Sequence, residues 1–140
     1  MAKRVRLSLT GRQRGEDGRD TITQIHTEAD FFEKDNGIFL FYSETTESAG
    51  GNAKCRLKLK SGLLELTKSG ETNTRMVFET GKEYLTDYAT PYGTLRLGIL
   101  THSMNITPGD CGIEIQVTYT LSWDARPFSE CDMKITINFY

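Results

Sequence analysis

The chain has 140 residues, 37% hydrophobic and 26% charged, with a formal net charge of −2 at pH 7. That is the size of a single domain, residues 1–140, and a chain this long buries roughly two-thirds of its unfolded surface, enough for a core without staples. The composition excludes a collagen-like chain, a coiled coil and a disulfide-stapled miniprotein. No run of about 18 apolar residues predicts a membrane span, and the acidic balance weighs against nucleic acid.

A period of two runs through the sequence. Val5, Leu7 and Leu9 alternate with Arg4, Arg6 and Ser8, which predicts a strand with one dry and one wet face. Residues 20–33 continue as a long second strand. Its parity slips between Ile22 and Ile25, while Ile25, Ala29 and Phe31 stay in phase, so a bulge is expected at Thr23–Gln24. Lys34-Asp35-Asn36-Gly37 predicts a hairpin with Asn-Gly in the positive-φ positions of a type I′ turn. Ile38, Leu40 and Tyr42 then share one face, with Phe39 and Phe41 on the other. Residues 44–52, polar and Gly-rich, read as a loop.

Next, Cys55, Leu57 and Leu59 point inward against an outward basic row of Lys54, Arg56, Lys58 and Lys60. Turns at Ser61-Gly62 and Ser69-Gly70 bracket a short strand carrying Leu64 and Leu66. Thr74, Met76 and Phe78 face inward, with Arg75, Val77 and Glu79 outward. At most one helical turn fits, around 80–87, before Thr90-Pro91-Tyr92-Gly93 halts the segment, since proline cannot sit in a central strand. Leu95, Leu97 and Ile99 alternate with Arg96, Gly98, Leu100 and His102. The inward set continues through Ile113, Ile115, Val117, Tyr119, Leu121 and Trp123. After a turn at Asp124–Pro127 it resumes with Met133, Ile135, Ile137 and Phe139.

Short connections between successive strands make neighbours antiparallel. The expected fold is therefore all-β: one antiparallel meander of about 8–10 strands, curled until its edges meet, because closure removes the unpaired edges that invite aggregation.

Several stretches of the chain are similar to a known family. Arg75-Met-Val-Phe-Glu-Thr-Gly81, then Thr90-Pro-Tyr-Gly93, Leu95-x-Leu97 with Thr101, and Ile113-x-Ile-x-Val-x-Tyr119 resemble the YwiB-like family of uncharacterised bacterial proteins. Phe31-Phe32, the Asn36-Gly37 turn and Ile38-x-Leu-x-Tyr42 fit the same pattern, so the likeness spans essentially the whole chain. It implies a calycin-type, lipocalin-like β-barrel in a bacterial cytoplasm. It implies no activity and supplies no catalytic residue. The loop at 48–52 departs from the pattern by its length.

The inward side chains can fill such a barrel or line an apolar pocket with a few polar fixers, and both readings stand at the level of sequence. For a ligand, the candidate residues are Tyr42, Arg75, Thr101 and Tyr119, with Tyr88 and Tyr92 at a rim as gate or plug. Phe32, Phe39 and Phe41 put apolar surface on the face that should meet water, which marks a partner surface, a homodimer in the first instance. The basic row at 54–60 and a local excess of four positive charges in residues 1–19 would suit phosphates, but no exposed aromatics interleave with the row.

His26 and His102 stand alone, without the oriented partner a general base needs. No nucleophile elbow, zinc-protease signature, P-loop or dinucleotide fingerprint occurs. Neither an enzyme nor a cofactor or metal is expected. Three cysteines, Cys55, Cys111 and Cys131, with no C-x-x-C, argue against a disulfide framework and for a reducing compartment. Residues 1–20 hold no apolar run of signal-peptide length. The leading functional expectation is a non-catalytic module binding a small, partly apolar ligand. The alternative is a filled barrel acting through its outer face.

Overall fold

The computed structural model describes residues 3–15, 17–46, 51–69, 73–90, 92–123 and 125–140. They form ten strands: β1 Lys3–Arg14, β2 Asp20–Lys34, β3 Gly37–Thr46, β4 Gly51–Lys60, β5 Leu63–Ser69, β6 Thr74–Glu79, β7 Glu83–Thr90, β8 Gly93–Gly109, β9 Gly112–Trp123 and β10 Arg126–Phe139. Every ladder is antiparallel, and the sheet order is β6-β5-β4-β3-β2-β1-β10-β9-β8-β7. The first and last strands are paired neighbours, from Val5 opposite Phe139 to Arg14 opposite Glu130. The sheet curls until β6 approaches β7, giving a nearly closed, lipocalin-like barrel. Among the described residues no helix is long and apolar enough to cross a membrane.

Side chains close the seam between β6 and β7. The Thr86 hydroxyl donates to the Arg75 carbonyl at 2.5 Å, and the Tyr84 hydroxyl donates to Glu79 Oε1 at 2.6 Å. The turn between the two strands is tied to β8: Gly81 N–H donates to the Thr101 carbonyl at 2.9 Å and Thr101 N–H to the Lys82 carbonyl at 3.3 Å. Gly81 takes φ of +80°, where a Cβ would be strained. Phe78, three residues earlier, is fully buried. The spacing Phe78 to Gly81 thus couples a core plug to the turn that closes the sheet.

The core occupies one end of the barrel. Ile38, Leu59, Leu64 and Phe78 lie opposite one another in successive ladders, and the next row inward is Phe31, Leu40, Leu57, Leu66 and Met76. Ile99, Ile115, Val117, Ile135 and Ile137 complete the packed end without solvent contact. Two residues further along the same strands, the row is Tyr42, Cys55, Lys68 and Thr74. The β1–β2 wall changes in the same direction, from Leu9 opposite Ile25 to Gly11 opposite Thr23 to Gln13 opposite Thr21. The interior therefore grades from large apolar to small and polar along the barrel axis.

Five expectations are corrected by the coordinates. β2 runs in unbroken register with β1, with no bulge at Thr23–Gln24; Ile22 points outward and is 62% exposed, because Thr21 and Thr23 hold the inward positions. The bulges fall instead at His102, between Thr101 and Ser103, and at Phe128, between Pro127 and Ser129. The β2–β3 turn places its positive φ angles on Asp35 (53°) and Asn36 (62°), one residue earlier than expected, with Lys34 opposite Gly37. The helical turn expected around 80–87 is a tight turn leading into β7.

Trp123, expected inside, is 54% exposed at the last residue of β9, opposite Leu97 and Arg126. The loop expected at 44–52 is shorter than that: β3 runs on to Thr46 and β4 starts at Gly51, paired through Glu44–Ala53, Thr45–Asn52 and Thr46–Gly51, while residues 47–50, with Gly70 and Asp124 in two of the predicted turns, lie outside the described residues.

Candidate functional site

At the polar end the barrel holds a cavity of about 320 Å³, at the lower end of the range for small-ligand pockets, roughly 300–1,000 Å³. Leu9, Ile25, Leu66, Met76 and Met133 form its apolar part, and Thr21, Thr23, Thr74 and Thr86 its hydroxyl-bearing part. Gly11 supplies much of the room: a Cβ built there meets no atom within 4 Å. The two methionines add an unbranched, adaptable surface.

Tyr119 forms the floor. Its ring meets Phe78 edge-on, centroids 4.9 Å apart, at the boundary between packed core and cavity. Its hydroxyl hydrogen-bonds the Cys131 thiol, and burial pushes the phenol above its ordinary range. Burial likewise raises the Cys131 thiol, whose sulfur lies 3.7 Å from Ser129 Oγ. Both groups stay neutral at physiological pH and act as fixed dipoles.

A second opening lies in the side wall. β2 and β3 pair only from Asp30–Phe41 to Lys34–Gly37. Beyond that point β2 keeps β1 and β3 keeps β4, but the two part from each other. The resulting cleft, about 470 Å³, is lined by Arg4, Thr27, Glu28, Asp30, Phe41, Ser43 and Lys54, together with Tyr42 and Cys55. Tyr42 and Cys55 also line the inner cavity, so these two side chains are the partition between them.

The structure brings together two of the six ligand candidates, Tyr42 and Tyr119. Arg75 points outward, opposite in parity to Thr74 and Met76, and donates from Nε to Glu65 Oε1 at 3.0 Å. Thr101 is 1% exposed but stands off the cavity, spent on the β6–β7 turn; among the described residues its hydroxyl finds no hydrogen-bond partner. Tyr92 is fully exposed. The Tyr88 side chain and Pro91 lie outside the described residues.

Gly11, Thr21, Thr23 and Lys68 line the cavity without standing among the sequence candidates, and Thr74, expected to face inward, joins them. Each was within reach, because each continues an inward parity (Leu7, Leu9, then Gly11; Leu64, Leu66, then Lys68) past the point where the apolar run stops.

On the outer surface, Phe32 sits opposite Phe39 across the β2–β3 ladder and meets Phe41 edge-on at 5.6 Å. Phe41 is 44% exposed and the other two are half-buried. In the basic row, Lys58 lies over the Phe39 ring at 5.8 Å, and Arg56 donates to Glu65 Oε1 at 3.0 Å. Glu65 is nearly buried although it lies on the outer face. The Arg75 hydrogen bond holds its carboxyl below the usual carboxylate range against the opposing pull of burial, with Arg56 assisting. Two of the row's four positive charges are thus engaged by neighbours.

His26 Nδ1 is 3.0 Å from Ser8 Oγ and His102 Nε2 is 2.5 Å from Thr120 Oγ1, both on the exposed face. Among the described residues no three potential metal ligands converge.

The family model described as "Domain of unknown function (DUF1934)" matches residues 7–135. Among solved structures, the chain is similar to the crystal structure of the ywiB protein from Bacillus subtilis, with a TM-score of 0.85 and 21% sequence identity over 99% of this chain and 93% of that one. At that identity the likeness speaks for the fold alone. None of the curated proteins matches the chain.

Proposed function

This chain belongs to the DUF1934 family, and we propose that its barrel is a non-catalytic binding module for a small, partly apolar ligand held in the open end. One observation carries the reading: the inner wall turns from packed hydrocarbon to hydroxyls around a 320 Å³ cavity, where inward Gly11 leaves the wall unfilled. A core selected for stability alone would fill that space, since interiors pack to the density of organic crystals. No histidine reaches the cavity, and its Tyr119 and Cys131 neighbours are pushed away from ionisation, which supports binding over catalysis. The proposed compartment is a bacterial cytoplasm, in keeping with three cysteines that form no disulfide.

Native mass spectrometry of the purified chain tests the proposal. One small molecule per chain, lost in Gly11→Val, is the expected result. A bare chain that also gives no calorimetric signal with octanoate or octan-1-ol would remove it.

The second reading is an interaction protein working through Phe32, Phe39 and Phe41, with a second copy as partner. The 44% exposure of Phe41 within a three-ring cluster favours it. Sedimentation equilibrium decides: a dimer weakened by Phe41→Ser supports this face, and a monomer at high concentration eliminates it.

A further inference from the structure

Beyond the cavity, we infer that the cleft between β2 and β3 is a docking groove for an extended segment of another polypeptide, which enters as an extra strand and pairs with both edges. The ladder between the two strands stops at Asp30–Phe41. Past that point Asp20–Ala29 keeps its β1 neighbour and Tyr42–Thr46 its β4 neighbour. Among the described residues, two rows of backbone N–H and C=O groups are thus left without a ladder partner on the sides that face the cleft. A peptide chain is the partner that offers donors and acceptors alternating at the same spacing. The five residues Tyr42–Thr46 limit the doubly paired stretch, roughly 17 Å of strand.

Natural sheets blunt an open edge with lysine, proline or a bulge. Neither stretch has one: both hold unbroken register with their other neighbour, and Thr21, Ile22, Thr23, Ile25 and Thr27 make the β2 edge rich in β-branched residues that favour pairing. At the head of the cleft, where pairing stops, Phe41 is 44% exposed, apolar surface of the kind that marks a contact. Parity sets the chemistry of the occupant. Ile25 and Thr27 on β2 and Tyr42 on β3 face inward beside the gap, while Glu28, Asp30, Phe41 and Ser43 face outward. A seated strand therefore turns alternate side chains toward the inner cavity, where burial favours apolar ones, and the others toward the polar outer cleft. The partner is a proline-free segment that alternates apolar and polar residues. Because β2 and β3 run in opposite directions, it lies antiparallel to one and parallel to the other. A second copy fits less well: among the described residues every strand already has a partner, so that copy would have to unpair its own sheet to supply one.

The test titrates the full chain into an array of fluorescein-labelled heptapeptides in which Thr alternates with Val, Leu or Phe, read by fluorescence anisotropy. Saturable binding by members of the array is expected. Two N-methylated isomers of the tightest binder are decisive. Successive amides of a strand point to opposite sides, so methylating the odd or the even set blocks one ladder or the other. In a groove with two edges each isomer should bind at least about tenfold more weakly, the worth of one or two hydrogen bonds. Hydrogen exchange with the unmethylated peptide bound should slow along Asp20–Ala29 and Tyr42–Thr46.

Absence of binding by every member at millimolar concentration overturns the inference, and so does protection confined to β6 and β7. Sensitivity to one N-methylated isomer alone means a single outer edge and overturns the groove. Self-association of the free chain that slows the same amides assigns the cleft to a second copy and overturns the peptide. Octanoate binding, or its absence, bears on the inner cavity, so the two readings fail separately.

Discussion

Replacing Gly11 by valine puts the cavity reading at risk most directly. Gly11 lies in a doubly paired strand, opposite Met133 on one side and Thr23 on the other. Its φ is not positive and an added Cβ meets nothing within 4 Å, so the backbone is unstrained and the first added carbon has open space. Three carbons enter the barrel. Full burial would stabilise by about 0.8 kcal/mol each, and roughly half of that is expected at this wet end, or about 1 kcal/mol. Removing glycine from a strand interior adds about 0.5–1 kcal/mol by restricting the unfolded chain.

The expected gain is therefore about 2 kcal/mol. It should appear as a higher urea midpoint at unchanged slope and a Tm raised by about 6 °C for a chain of this size. The same three carbons should eliminate octanoate binding. Stability and binding then move in opposite directions, which a general folding defect cannot imitate. A fall in stability would show that the space beside Gly11 is not open, and full binding in a more stable variant would show that the ligand sits elsewhere.

Three further outcomes follow from the geometry. Phe78→Ala, at a fully buried ring on which Tyr119 packs, should cost about 3–5 kcal/mol in urea unfolding; a loss below about 1 kcal/mol would contradict the packed end. The Glu65 carboxyl is held below its ordinary range by Arg75 first and Arg56 after it, so its contribution is complete above the unfolded-state pKa and fades as pH falls through the lowered folded value. Glu65→Gln should accordingly flatten the loss of stability on acidification below the ordinary glutamate range, and an unchanged acid limb in pH-dependent unfolding would refute the role of the cluster. Hydrogen exchange should find fast alternate amides along Asp20–Ala29 and Tyr42–Thr46, those aimed across the β2–β3 cleft, beside slow ones in the Asp30–Lys34 ladder. Uniform protection along both strands would mean the wall is continuous.

The alternation of Thr74, Met76 and Phe78, of Ile115, Val117 and Tyr119, or of Met133, Ile135 and Ile137 marks which face of each strand is dry. Those features were legible in sequence because a strand has a period of two and an apolar side chain gains the same free energy from burial in any barrel. The sheet's all-β meander and its near closure followed from the same alternation and the short connections.

The position of the cavity was not legible, because parity assigns a face and says nothing of what stands opposite it. Arg75 looked like a pocket residue until the outer row placed it on Glu65, and Thr101 until the Gly81 turn engaged its backbone. Gly11, Thr23 and Lys68 look unremarkable one strand at a time. They make a site only when ladders between strands distant in sequence align their rows around one axis, and when β2 and β3 stop pairing at Asp30 and Phe41. Local sequence sets which way each side chain points. The register between strands sets which side chains share a row, and that is decided by the whole sheet closing on itself.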